Sequence, residues 1–402
     1  MSLRDTLLQL SSVALDAVRG DKVVKNTLKR NHYLNKCHLL AIGKAAEAMT
    51  LGAIEQLGSL IQTGLIISKH GHFQSSLLSS DFRFQCIESD HPIPAKASLS
   101  AGKYLVQYLQ QLPIDAHCLI LISGGTSSLA EVLHEGWSLN DLQELNQYLL
   151  ENGYSIEQIN AVRCQLSKIK AGGLWHYIGK RHVTCLMISD VEGDNPAVIG
   201  SGLLFPSNTT TPTNLPIKWK QRFKPRQAVS TPNFYWEIIA TLEHAKKAVK
   251  TSATKMSYKV NVDNNFLHGN ATDVAKQCAQ QLKQSDVDII IWGGETTVKL
   301  PKNAPEGGRN QHFALAAAIE LENSNCALIS LGTDGSDGTT EAAGGIIDGQ
   351  TIARGAAQAL SAKQCLQQAN AYTFLKATND LVITGATGTN IMDIVIGIKK
   401  RD

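Results

Sequence analysis

A chain of 402 residues with 43% hydrophobic and 18% charged side chains is long enough for two domains and too apolar to stay disordered. Its net charge of +3, from 38 basic against 35 acidic residues, excludes a broad nucleic-acid-coating surface and is compatible with local anion pockets. Eight cysteines without a CxxC pair argue against a metal or redox motif and for buried thiols in a reducing compartment, so a cytoplasmic location is expected.

In chain order, MSLRDTLLQLSSVALDAV has amphipathic helical spacing interrupted by charge. It lacks the unbroken apolar stretch of a signal peptide, and no run approaches the ~20 apolar residues of a membrane span. Short apolar runs predict strands at 37–43, 64–69, 82–88, 117–122 and 183–189. Helical spacing predicts helices at 44–58, 96–111, 127–134, 140–151 and 155–169. Strands that are apolar on both faces and separated by helices predict a parallel sheet covered on both sides. Residues 195–236 contain no Asp or Glu but six of the eleven prolines, which places a domain junction within 205–235. There, cationic residues occupy every second position from Lys218 to Arg226, as in a solvated basic linker or a strand with one basic face. The α/β rhythm then resumes. Helices are expected at 233–250, 270–284, 310–322 and between 351 and 377, and strands at 257–263, 287–292, 326–331, 344–348, 381–384 and 394–398. The pattern predicts two α/β domains, residues 1–228 and 233–402.

Ligands of open α/β sheets bind at the carboxyl ends of strands, so the loops after the apolar strands are the candidate sites. AIGKAA puts Lys44 at a helix start, where the dipole disfavours a cation unless an anion lies between them. SGGTSS follows CLILI. Gly124 and Gly125 allow close backbone approach, and Thr126 and Ser127 open a helix whose N–H groups suit phosphate; a tight turn with a good cap would leave the same pattern. ISDVEGDNP carries Asp190 and Asp194, oxygen ligands of the kind Mg²⁺ takes, or turn-forming carboxylates. WGGETTV repeats the strand–GG pattern with Gly293, Gly294 and Glu295, and EGGRNQ sets Arg309 and Asn310 at a helix start. GTDGSDGTTEAAGG interleaves Asp334, Asp337 and Glu341 with glycines, as a metal–nucleotide loop would, and TGATGTN closes the series with Asp393 beyond it.

The absences narrow the chemistry. There is no GxxxxGK[ST] P-loop, no GxGxxG dinucleotide fingerprint, no kinase HRD or DFG, no HExxH and no GxSxG. The HxH of His70 and His72 and the lone His91 are read as structural. Backbone cradles, a lysine, an arginine and carboxylates for Mg²⁺ fit phosphoryl transfer, which is catalysed mainly by positioning and charge neutralisation.

Taken as an ordered set, AIGKAA, DHPIP, SGGTSSL, NAVRCQLSKIKAGGL, SDVEGDNPAVIGSG, GGETTV, EGGRNQ, GTDGSDG and TGATGTN resemble the class II glycerate kinases, from about Leu39 to Ile398. The resemblance implies an ATP-dependent glycerate 2-kinase that phosphorylates the 2-hydroxyl of D-glycerate to 2-phosphoglycerate with Mg²⁺. It implies a Rossmann-like N-terminal domain with a parallel sheet, a smaller C-terminal MOFRL-type α/β domain, and a site between them. Carried over by motif, Lys44, Arg309 and Asp190 are catalytic. Gly124, Gly125, Thr126, Ser127, Gly293, Gly294, Glu295 and Asn310 bind substrate or phosphate, and Asp190, Asp194, Asp334 and Asp337 serve the metal. The implied partners are small molecules, D-glycerate and ATP, with no nucleic acid and no membrane; a homodimer is left open. The chain departs from the family pattern at Thr126, Ser128, Ala171, Gly173, Leu203, Ser207 and Ala95. The alternatives are a hydroxypyruvate or tartronate semialdehyde reductase using a nicotinamide cofactor, against which the missing GxGxxG counts, and a non-catalytic metabolite-binding relative.

Overall fold

The computed structural model describes residues 2–33, 35–207, 211–212, 214–223 and 231–400. They form two compact units: Val23–Ile239, and Met1–Lys22 together with Ala240–Asp402. No described helix is long and apolar enough to cross a membrane.

The Val23–Ile239 unit is built on β1 (Cys37–Ile42), β2 (Ile61–Lys69), β3 (Phe84–Ser89), β4 (His117–Ile122), β5 (His182–Ile188) and β6 (Tyr235–Ala240), in the order β3-β2-β1-β4-β5-β6. The pairs from β3 through β5 are parallel, as the apolar runs predict. In CHLLAI and HCLILI nearly every side chain is buried, because helices cover both faces of a parallel sheet. Leu40, Ile42, Ile120, Ile122 and Met187 meet Leu105 and Leu109 of the helix Lys96–Gln111 in one core. A satellite cluster packs Leu142, Leu145 and Leu149 of the helix Leu139–Glu151 on Ile159, Val162 and Trp219. This cluster accounts for the basic alternation after Lys218. Ile217–Lys220 coil into one helical turn because Trp219 is buried, and Arg222 lies over the Trp137 ring while pairing with Asp141. The described part is therefore not a strand with one basic face; Lys224 and Arg226 lie outside the described residues.

The other unit has β7 (Val260–Asn270), β8 (Ile289–Thr297), β9 (Cys326–Gly332), β10 (Gly344–Asp348), β11 (Leu381–Val382) and β12 (Asp393–Lys399), in the order β11-β10-β9-β12-β8-β7. Only β7 and β8 run parallel, and the remaining pairs are antiparallel, so the sheet is mixed. Ile290, Trp292, Leu328 and Val395 form its core with Phe313 and Leu315 of the helix Arg309–Glu320.

Two segments are placed differently from expectation in the sheets and their covers. The opening helix Leu3–Ala17 is part of this second unit, not of a 1–228 domain. Its stripe of Leu7, Leu10 and Ala14 is fully buried, and it packs on β9, β12 and the helix Leu242–Lys255. Residues 235–240, expected to begin a helix over 233–250, instead form β6. Aromatic and β-branched residues in YWEII favour a strand, and the Thr241 hydroxyl accepts the His244 N–H to start the helix afresh.

Candidate active site

In the Val23–Ile239 unit the sheet order reverses between β1 and β4, and the loops that leave these two strands flank the switch point where open α/β sheets bind ligands. Lys44 leaves β1 there. Its N–H donates to the Gly124 carbonyl at 2.9 Å, and the next N–H, of Ala45, donates to Ser123 Oγ at 3.1 Å. The two loops are thus laced before the helix Ala46–Leu57 begins. Gly43 is required: its φ is +133°, and a Cβ would lie 2.1 Å from Ser123 Oγ. Gly125, at φ +86°, is enclosed by the His91 ring and the Lys44 stem, which a Cβ would meet at 3.1 and 3.3 Å. Lys44, His91 and Gly125 therefore converge at one point. His91 leaves β3 at the same edge of the sheet, and sequence reasoning set it aside because a lone histidine carries no spacing signal. His72, also read as structural, has Nδ1 3.1 Å from the Lys44 carbonyl oxygen and so sits against the same loop.

The hydroxyls of the SGGTSS loop point elsewhere. Thr126 Oγ1 donates to the carbonyls of Ile42 at 2.9 Å and Ser123 at 2.7 Å, tying the ends of β1 and β4. Ser127 and Ser201 share a hydrogen bond of 2.8 Å, and Ser128 donates to the Pro92 carbonyl. Thr126 is therefore a brace and not a phosphate ligand through its hydroxyl. The helix it opens is a single turn, Thr126–Leu129, not the expected 127–134. Asp190 and Asp194 follow β5, both half-buried, with Asp194 at φ +51°.

In the second unit Arg309 opens a helix, as expected, but its guanidinium is already partnered. Nε and Nη2 donate to Asp393 at 2.6 and 3.0 Å, and Nη1 meets Glu295. Burial lowers the Arg309 pKa, and the Asp393 and Glu295 carboxylates outweigh it, so the group is held firmly charged. Asp337 does not offer itself to a metal. Its two carboxylate oxygens accept the N–H groups of Asn310 at 3.1 Å and Gln311 at 2.9 Å, replacing the side-chain cap that Gly308 cannot supply. A Cβ on Gly308 would lie 2.1 Å from Asp337 Cγ, so glycine is what admits this cap. Asn310 is likewise committed: its Oδ1 accepts the Ser330 hydroxyl at 2.7 Å, and its Nδ2 lies 3.4 Å from Asp337 Oδ1. Asp334 Oδ1 accepts the N–H and hydroxyl of Ser336.

Gly293 and Gly294 are not a phosphate cradle either. They lie inside β8, where a Cβ would strike the Leu242 side chain at 2.7 Å or the Leu267 carbonyl oxygen at 2.2 Å. Glu295, beyond them in the same strand, is exposed, as is Thr297. Among the described residues no three His, Cys, Asp or Glu side chains cluster as a metal cage. Mg²⁺ often takes only one or two protein carboxylates, and half-buried Asp190 and Asp194 suit it better than the capping Asp337.

Two family models match the chain. One, described as a domain of unknown function (DUF4147), covers residues 6–231, and the other, described as the MOFRL family, covers residues 288–393. The D-glycerate 2-kinase of Thermotoga maritima is 34% identical, with 99% of this chain and 98% of that protein covered. The glycerate 2-kinase of Pyrococcus horikoshii is 30% identical over 99% and 98%. The crystal structure of the glycerate kinase of Thermotoga maritima superposes with a TM-score of 0.85 at 32% identity, covering 99% of each chain.

Proposed function

The chain belongs to the DUF4147–MOFRL family of glycerate 2-kinases, and we propose that it transfers the γ-phosphoryl group of ATP to the 2-hydroxyl of D-glycerate, giving 2-phosphoglycerate and ADP. The observation that carries the reading is the convergence of Lys44, Gly125 and His91 at the switch point of a parallel sheet, a place suited to an anion. In the transfer, the glycerate 2-oxygen forms a bond to the γ-phosphorus as the bond from that phosphorus to the β-bridging oxygen breaks. The electron pair leaves with ADP, and the hydroxyl proton passes to a base or to solvent. Negative charge spreads over the equatorial oxygens, and Lys44 and Arg309 are assigned to neutralise it and to orient the glycerate carboxylate. Mg²⁺ accompanying ATP would supply further charge neutralisation, with Asp190 and Asp194 as the residues to hold it directly or through water. Glu295 and the Gly124–Gly125 backbone are assigned to the substrates.

Incubation with ATP, Mg²⁺ and D-glycerate, followed by phosphorus NMR, tests this. A 2-phosphoglycerate signal is expected; a 3-phosphoglycerate signal or unconsumed ATP overturns it. Lys44→Met is expected to lower kcat/KM by ~10²-fold, the size of losing one key charge stabiliser. Near-wild-type turnover by the folded variant removes Lys44 from this role.

A further inference from the structure

We infer that Asp393 is a positioning residue that aims Arg309 at the reacting anions, an inference that rests on the glycerate kinase reading. Asp393 is the first residue of β12, in the middle of the mixed sheet, and its strand partners on either side are Gly294 of β8 and Gly332 of β9. Neither neighbour has a side chain to crowd it; a Cβ on Gly332 would already come within 3.5 Å of Asp393 Oδ1. The Asp393 side chain is 7% exposed, whereas the Arg309 side chain is 35% exposed. The acid is thus anchored inside and the base reaches outward from it. The contact is a fork: Nε–H to Oδ2 and Nη2–H to Oδ1. Such a bidentate pair fixes the plane of the guanidinium as well as its location. One Nη1 proton goes to Glu295. Of the five guanidinium N–H groups, one on each terminal nitrogen then has no acceptor among the described residues. These two N–H groups are the part of Arg309 left to grip a phosphoryl or carboxylate oxygen. Glu295 is half-exposed and holds Arg309 through one nitrogen, so an arriving anion can take its place while Asp393 keeps the aim.

An ion pair can also serve stability alone, and the test separates aim from support. Steady-state kinetics on the wild type, Asp393→Asn, Arg309→Lys and the double variant, with thermal unfolding on the same preparations, form the cycle. Asp393→Asn retains one acceptor oxygen but turns an NH₂ toward an N–H, so the fork opens. A displacement of about 1 Å in a catalytic group costs ~10²-fold, and kcat of Asp393→Asn is expected to fall by at least about tenfold, with a smaller change in KM. In the Arg309→Lys background the same change is expected to cost less than about twofold, because the group it aims is gone. Asp393→Glu keeps the charge on a longer arm. It is expected to fold as the wild type does and still lose kcat, and it replaces Asp393→Asn in the cycle if that variant does not fold. Equal losses in both backgrounds, or wild-type kcat in a folded variant, overturn the inference alone. A wild-type chain without ATP-dependent turnover of D-glycerate overturns the kinase reading and the inference with it.

Discussion

Asp337 lies in a loop that reads as a metal site, yet it completes a helix that starts twenty-eight residues before it in the chain. Burial, with a smaller push from the Asp393 carboxylate, raises its pKa to about 7 against an ordinary value of 3.8, outweighing its two N–H bonds and the nearby Arg309, which draw it down. Below the unfolded value both states are protonated and the group has no effect. As pH rises from about 4 to 7 the unfolded chain ionises and the folded one does not, so stability is lost across that window and levels off above it. The loss from this group is on the order of a few kcal/mol. Asp337→Asn, which cannot titrate, is expected to flatten the slope of stability against pH between 4 and 7 while lowering stability overall through the weakened cap. Thermal unfolding of both chains across that range checks this; an unchanged slope in the variant removes Asp337 as its source. At this scale the sequence was informative about residue type and silent about direction. Lys44 and Arg309 stand out in the sequence as cations at helix starts, and the anions the structure shows on Arg309 are Asp393 and Glu295 of its own unit. The hydrogen bonds of Thr126 to Ile42, of Asn310 to Ser330 and of Asp337 to Asn310 and Gln311 join residues far apart in sequence, so no local pattern shows them. Asp393 was passed over because its importance comes from two strand neighbours that no local pattern joins.

Among the elements, the long apolar strands were legible nearly to the residue, since a run such as HCLILI has no alternative to burial on both faces. The helix Leu3–Ala17 was legible as a helix but not in its place. Its stripe says only that a cover is needed, and the cover is β9 and β12, more than three hundred residues on. Its attachment is partly ionic: Arg4 donates to Asp380, which is fully buried and is also held by Arg354. Leu10 has no exposed surface. Leu10→Ala leaves a cavity in that contact and is expected to cost ~2–5 kcal/mol. Hydrogen exchange can show where. Amides of β9 and β12 should lose protection in the variant, and those of β1 and β4 should keep theirs. Loss confined to the Val23–Ile239 unit would contradict the assignment of this helix to the Ala240–Asp402 sheet. A second buried pair, Lys170 with Glu131, lies inside the Val23–Ile239 unit with both side chains at most 1% exposed. Nothing in IKAGGL signals that its lysine is buried, because the partner carboxylate sits on a separate loop.

At the scale of the whole chain, the strand order β3-β2-β1-β4-β5-β6 is the order of the dinucleotide-binding fold. On fold alone, a nicotinamide-dependent reductase acting on hydroxypyruvate would be as reasonable as a kinase, but fold does not fix function. The loop after β1 decides between them. A dinucleotide site needs three glycines there, for the tight turn, for pyrophosphate approach and for helix packing. This chain has one, Gly43, whose missing side chain is used up by Ser123, and it follows that glycine with Lys44, Ala45 and Ala46. A charged side chain thus stands where a reductase brings bare backbone to its cofactor. Two assays on one preparation discriminate. With hydroxypyruvate and NADH, the absorbance of NADH is expected to stay constant; with D-glycerate, ATP and Mg²⁺, ADP is expected to form. Lys44→Met should depress the second rate by ~10²-fold. If NADH is consumed and ATP is not, the phosphoryl-transfer reading fails. If neither substrate pair turns over while ATP or D-glycerate still raises the unfolding temperature, the chain binds metabolites without catalysis. A ligand at a hundred times its dissociation constant adds about 2.7 kcal/mol to the folded state, so such binding would be visible in the same thermal scans.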